Sequence, residues 1–599
     1  MISGFQKQGI LYTVGQPMKK LKHLSLLFIL CTILILAAGC QGTQQSASEQ
    51  KKFDAYMNEI FKNEVQSDSI TLNYTLTHPE NYGITDFKPT LGSYTLESMK
   101  EGAAITENYL ANLKKFNYKQ LSGDQKLTYD ILKNYLALDQ DAADLLLYTE
   151  SLGPTTGIQA QLPILLAEYN FNSKEDIVRY LELLPCVYDF FEDIVTMEQE
   201  KSKAGLFMND TTADSIIEQC SAFISDPEDN YLIEIFNDRV DNFKGLTDDE
   251  KKEYKKTNKE AILNKVIPAY ENLVNGLAAL KGTGKNPGGL SGLPEGKRYY
   301  EYLVKSQTGS GKSIAKIDKL LDSSVNVCLL NMAKIAADDP AVFNKFDTYE
   351  YPLTDPEEII NYLKDRTKAD FPDLTDVNCT IKYVHKSLED HLSPAFYLTP
   401  PIDNVSQNNI YINGGKDFDL SQIFTTMAHE GYPGHLYQTV YFSQQQKSPI
   451  RYLLSFGGYS EGWATYVEMY SYSIAGLDAS LADMLKNNMV ATLCMYAKVD
   501  VGVNYHNWTT DDVAEYLRAF GINDPDDVQT LFDVMVAEPG NYLKYTLGYL
   551  EFTELRQEAE AALKDKFSPK EFHEFILSTG PCQFYILQDQ MKDWIKTQR

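Results

Sequence analysis

Apolar residues recur along most of this chain at three- and four-residue intervals, the period of a helix with one buried face. Ser173-Lys174-Glu175-Asp176 has the form of a capping box, and Ile177, Tyr180, Leu181 and Leu184 follow on one face. Thr509 to Asp512 starts a second helix, with Val513, Tyr516, Leu517 and Phe520 inward and Gly521 at its end. Ser568-Pro569-Lys570-Glu571 starts a third, with proline at the first helical position. Period-two alternation is confined to Thr380–Val384, Ala395–Leu398 and Asn409–Ile412. These patterns predict a mainly α protein with a small antiparallel sheet just before residue 429. Such a sheet would offer an edge to an extended peptide.

The Gly/Pro-rich stretch from Gly282 to Lys297 is the clearest internal loop and is read as a junction between two helical lobes. Near the N-terminus, Met18-Lys19-Lys20-Leu21-Lys22 opens a basic segment, and an apolar run from Leu24 to Leu36 is too short to span a bilayer comfortably. The run ends in Leu36-Ala37-Ala38-Gly39-Cys40. This resembles a bacterial lipoprotein signal, with Ala37 where leucine is usual, and makes Cys40 the expected lipidated N-terminus. Met18 reads as the true start. Residues 1–40 are therefore expected to be a signal peptide, 41–50 a polar flexible tether, and 51–599 the catalytic body. The protein would be extracytoplasmic and held at the cell membrane by its lipid anchor.

Charge narrows the partners. The 599-residue chain carries a formal net charge of −28, which disfavours nucleic acid and anionic lipid headgroups. Cys186, Cys220, Cys328, Cys379, Cys494 and Cys582 are widely spaced, so neither a disulfide framework nor a zinc ribbon is expected.

The densest chemistry lies in Thr426-Met427-Ala428-His429-Glu430-Gly431-Tyr432-Pro433-Gly434-His435, followed by Ser460-Glu461-Gly462-Trp463-Ala464-Thr465-Tyr466-Val467-Glu468. Two imidazoles and a carboxylate are the ligand set of a catalytic zinc with one open position, and a Glu beside the first His is where such sites keep their base. His429 and His435 are six residues apart, which on an unbroken helix sets them about 120° apart in azimuth. Pro433 and Gly434 lie between them and can break the helix, returning His435 to the ion. Glu461 then serves as third ligand. Glu468, two helical turns on, stands behind the ligands as a supporting partner.

These residues resemble the DUF885 family of bacterial proteins. Its His-Glu-x-x-Pro-Gly-His-His-x-Gln pattern is met from His429 to Gln438, except that Leu436 replaces the second His of the doublet. Its Glu-Gly-Trp-Ala-x-Tyr-x-Glu pattern is met in full from Glu461 to Glu468. Val499 to Trp508, Glu538 to Gly548, Phe572-His573, Gly580-Pro581 and Gly292 to Tyr300 have counterparts as well. The family is similar to helical Glu-zincins, so the resemblance implies a large multi-helical zincin-like fold with a deep cleft. It implies Zn2+, or another divalent metal, on His429, His435 and Glu461, with Glu430 as general base in hydrolysis of a peptide substrate. Tyr545 and His506 are the expected donors to the oxyanion.

Two further motifs are set aside. Thr308-Gly309-Ser310-Gly311-Lys312-Ser313 resembles the end of a phosphate-binding loop, but Ser306 stands where the first glycine is required, so a polar loop before a helix is expected. Ser313-Ile314-Ala315-Lys316 lacks the companion motifs of penicillin-interacting enzymes. The rival to a peptidase is a surface lipoprotein that binds peptides without cleaving them. Glu430 argues against it, because binding alone needs no base.

Overall fold

Each capping segment picked out in the sequence starts a helix. Ser173 caps Lys174–Leu183, Thr509 caps Thr510–Arg518 and Ser568 caps Pro569–Thr579, each side chain accepting from the backbone N–H three residues on. The computed structural model describes residues 45–599, apart from 376, 387–388, 390–392 and 416–417. The leader and Cys40 lie outside the described residues. Residues 45–50, expected as tether, are already helical and begin a helix that runs to residue 65. Glu49 accepts from the Asn117 N–H at 2.8 Å, Gln50 donates to the Gln120 carbonyl at 2.9 Å, and Phe53, Met57, Ile60 and Phe61 are buried behind them.

The protein is mainly helical with one three-stranded sheet among the described residues. β1 (Asn378–Tyr383), β2 (Ala395–Leu398) and β3 (Gln407–Ile412) lie in the order β1-β3-β2. The expected antiparallel sheet is instead mixed, since β1 pairs with β3 in parallel and β2 pairs with β3 antiparallel. Burial sets the strand order. Ile410, Tyr411 and Ile412 are nearly or fully buried, whereas β1 is mostly exposed, so β3 takes the centre and is paired on both sides.

One hydrophobic cluster draws its buried members from Leu152 to Leu277, and another draws its own from Tyr300 to Leu550. The loop between the helices Ile267–Leu280 and Gly296–Thr308 separates them. Leu290 N–H donates to Asn504 Oδ1 at 3.0 Å and the Ser291 hydroxyl donates to the Val503 carbonyl at 2.8 Å, which fixes this loop to the end of the helix Ala479–Asn504. A third cluster surrounds the metal-motif segment. It includes Phe424, Met427, Ala428, Leu436, Trp463 and Val467, all fully buried.

The helices Gly457–Ser471 and Asn541–Leu563 carry Glu461, Glu468 and Tyr545, and they approach almost backbone to backbone. A Cβ on Gly548 would lie 2.0 Å from the carbonyl oxygen of Gly458, and one on Gly462 would lie 2.4 Å from the Cα of Gly548. Glycine at these positions is therefore what allows the two helices to share a site. The phosphate-loop-like segment is a tie to the same helix. Lys312 pairs with Glu551 at 2.5 Å and Glu554 at 2.9 Å, and the Ser310 hydroxyl donates to Glu551 at 2.5 Å. The helix Ile314–Asp338 follows directly.

Candidate metal centre

His429 lies in the last turn of the helix Phe424–Glu430, and His435 opens the helix His435–Gln444. Between them the chain leaves helical geometry at Gly431 (φ −107°, ψ −99°) and Gly434 (φ −80°, ψ −134°), with a cis Tyr432–Pro433 peptide. A Cβ on Gly434 would stand 1.7 Å from the His429 carbonyl oxygen, so the reversal requires glycine there. The break brings the two imidazoles together, with ring centres 4.8 Å apart at 80°.

Glu461 completes the cluster. Its Oε2 is 3.6 Å from His429 Nε2 and 3.3 Å from His435 Nε2. A tetrahedral zinc with bonds of about 2.0–2.2 Å to nitrogen and oxygen sets its donors about 3.3–3.6 Å apart, and both separations from Glu461 fall in that range. Glu430 also offers an oxygen within 4.8 Å of both imidazoles. Its Oε2 accepts a 2.8 Å hydrogen bond from the backbone N–H of Tyr397 in β2, which aims the carboxylate from the sheet side.

Glu468 follows Glu461 by seven residues and so lies on nearly the same helical face. Its Oε2 is 3.0 Å from His429 Nδ1. A carboxylate can only accept, so Nδ1 donates to Glu468, which leaves Nε2 as the atom turned toward Glu461 and His435. Burial works against charge on both His429 and Glu461, yet their mutual contacts win. Hydrogen bonds to Glu461 and Glu468 hold His429 well above the usual imidazole range. Hydrogen bonds from His429 and His435 hold Glu461 well below the usual carboxylate range.

Tyr545 stacks near His429, with ring centres 6.5 Å apart. Burial first, then the charges of Glu461 and Glu430, push its phenol far up, so it stays protonated and able to donate. His506 is turned elsewhere: its Nε2 is 2.7 Å from Asp318 Oδ2 and its ring packs edge-on against Tyr505. It makes no contact with His429, His435 or Glu461 among the described residues, because it follows the end of the helix Ala479–Asn504, where Asp318 reaches it.

The remaining motif residues build the frame. Trp463, fully buried, donates from Nε1 to the Pro433 carbonyl at 2.9 Å. Asp500 accepts from the Tyr300 hydroxyl at 2.6 Å and from the Gly540 N–H at 2.8 Å. Gly540 has φ +83° and caps the helix that carries Tyr545. His573 lies between the Asp370 carbonyl (2.6 Å) and the Tyr466 hydroxyl (2.9 Å) and stacks on Phe371, a core histidine rather than a ligand. Sequence reading missed the Tyr397 amide. The only signal for it was the strand that precedes the motif.

The fold has solved relatives. A protein named as a lipoprotein from Colwellia psychrerythraea is 19% identical, with a TM-score of 0.77 over 93% of this chain and 99% of that one. A second, from Shewanella oneidensis and named as a lipoprotein of unknown function, is 15% identical, with a TM-score of 0.62 over 90% and 99%. At these identities the likeness shows the fold alone. No curated protein matches significantly. The model of DUF885, bacterial proteins of unknown function, matches residues 79–591, and with the His429, Glu430, His435 and Glu461 cluster inside that span this chain belongs to the DUF885 family.

Proposed function

We propose that this protein is an extracytoplasmic, lipid-anchored metallopeptidase that hydrolyses oligopeptides within a zincin-like cleft. The observation that carries the reading is the convergence of His429, His435 and Glu461 at ion-binding spacing, with Glu430 beside them on a fixed backbone donor. These three side chains would hold a zinc ion, which would supply Lewis-acid polarisation to the scissile carbonyl and to the attacking water. Glu430 takes the proton of that water and returns it to the leaving amine. Glu468 keeps His429 in the tautomer that offers Nε2. Tyr545, protonated by virtue of its burial, donates to the oxyanion as it forms. His506 has no part in this scheme.

The sheet supports a substrate direction. Among the described residues β2 pairs with β3 on one side only, and its Tyr397 amide faces Glu430, so its other edge runs beside the cluster. An extended peptide added to that edge would lie across the carboxylate. The two lipoprotein-named relatives support anchoring through Cys40.

Incubating the zinc-loaded protein with mixed peptides, followed by mass spectrometry, tests the activity. New fragments that vanish on chelation support it. Intact peptides with measurable affinity would instead favour the peptide-binding lipoprotein.

A further inference from the structure

A cavity of about 600 Å³ lies beside the helices that carry Glu461 and Tyr545. Its wall includes Gly457, one helical turn before Glu461, and Lys544, the residue before Tyr545. Its other side comes from the 148–212 region and from the helix Gly296–Thr308, and Tyr148, Tyr299 and Tyr302 give it aromatic surface.

The charges in this wall are unevenly used. Each of its three carboxylates is engaged within the protein. Glu150 pairs with Lys201 at 2.9 Å, Asp139 accepts from the Tyr302 hydroxyl at 3.1 Å, and Glu538 accepts from the Thr155 and Thr156 amides at 2.6 and 2.9 Å. Lys201 is buried between Glu150 and Glu198. Lys544, half-buried, and Lys305, exposed, by contrast have no carboxylate within ion-pair distance among the described residues. Their ammonium groups are therefore free to pair with an external anion.

Lys544 is the better placed. Its Nζ lies 5.3 Å from the centre of the Tyr545 ring, which is itself 6.5 Å from the His429 ring. The ammonium is therefore within about 12 Å of the imidazole, a span of about three extended residues.

We propose that the cavity seats the C-terminal end of a peptide, with its free carboxylate on the Lys544 ammonium and Lys305 as a second cation in the same wall. The substrates are then short peptides with an unblocked C-terminus, cut one to three residues from that end. This deepens the peptidase reading and rests on it for the location of the cut, whereas the carboxylate site itself can be tested without turnover.

The test uses Glu430→Gln protein titrated calorimetrically with an acetylated Ala/Gly hexapeptide as the free acid and as the C-terminal amide. The free acid should bind about tenfold more tightly, the effect of one charge-assisted contact. Adding Lys544→Met should bring the acid to the affinity of the amide, while Lys544→Arg should keep the preference. Equal binding of acid and amide, a preference that survives Lys544→Met, or no binding of either at millimolar concentration would overturn the proposal. Wild-type protein is assayed in parallel for cleavage of both peptides. An acid preference without cleavage leaves this site standing and removes the peptidase reading. Cleavage without an acid preference does the reverse.

Discussion

The indole of Trp463 donates to the carbonyl oxygen of Pro433 at 2.9 Å, which ties the helix that carries Glu461 to the break that returns His435. One hydrogen bond thus joins the two halves of the donor set. Trp463→Phe leaves the Pro433 carbonyl without its donor in a buried site, a loss of about 2 kcal/mol before any packing defect. The variant should melt at lower temperature and bind zinc more weakly. An unchanged melting midpoint together with unchanged zinc affinity would show that the bond does not hold the site.

Glu430→Gln removes the proton acceptor but none of the three proposed ligands. Zinc content, measured by elemental analysis, should stay near that of the wild type while peptide hydrolysis falls by about 10²–10⁴-fold. Full activity in this variant would end the proposed mechanism.

His429→Ala removes a donor at the centre of the cluster and should lower zinc content sharply. Glu468→Gln leaves the ligands in place but weakens the hold on Nδ1, so zinc affinity should fall by about 10–100-fold. Competition titration with a chelator measures both. Retention of wild-type affinity by the His429 variant would reject that ligand.

Gly548→Ala inserts a Cβ 2.0 Å from the Gly458 carbonyl oxygen, so the two helices must separate. A stability loss of about 1–3 kcal/mol follows from such overpacking. Because Tyr545 rides on the displaced helix and Glu461 on its neighbour, kcat should fall further than zinc content. Crystals of the variant with unshifted helices would refute the steric argument.

Burial, against the hydrogen bond to Asp370, lowers the His573 imidazole to about 3. The unfolded chain takes up this proton near pH 6.5, so the contribution is complete above that pH and is lost as pH falls toward 3. Between pH 7 and pH 5 the contribution falls by about 2 kcal/mol. Asp500 acts in the opposite sense, since burial raises its carboxyl to about 7 and its neutral form favours folding at lower pH. The His573 share is therefore read as a difference: a His573→Gln variant should lose less stability than the wild type between pH 7 and pH 5 in chemical denaturation. Parallel pH profiles for the two proteins would contradict the assignment.

Local chemistry was legible in the chain. The Ser173, Thr509 and Ser568 caps, the three strands, and the donor types at His429, Glu430, His435 and Glu461 each depend on neighbours within a few residues, so periodicity and side-chain type reveal them. The Pro433-Gly434 step even announced the break, because the backbone limits of those residues are intrinsic.

Pairings between distant elements were settled only in three dimensions. β3 takes the centre of a mixed sheet because burial of its side chains, rather than strand order in the chain, selects its partners. His506 has the residue type of an oxyanion donor, yet it pairs with Asp318, 188 positions away. The Tyr397 amide that aims Glu430 belongs to the backbone and leaves no mark in residue type. Lys544 is one lysine among many until packing consumes the acids around it. The sequence by itself determined which groups can bind a metal and where helices begin; the tertiary structure decided which of those groups meet, because contact between distant segments follows from how their buried faces pack together.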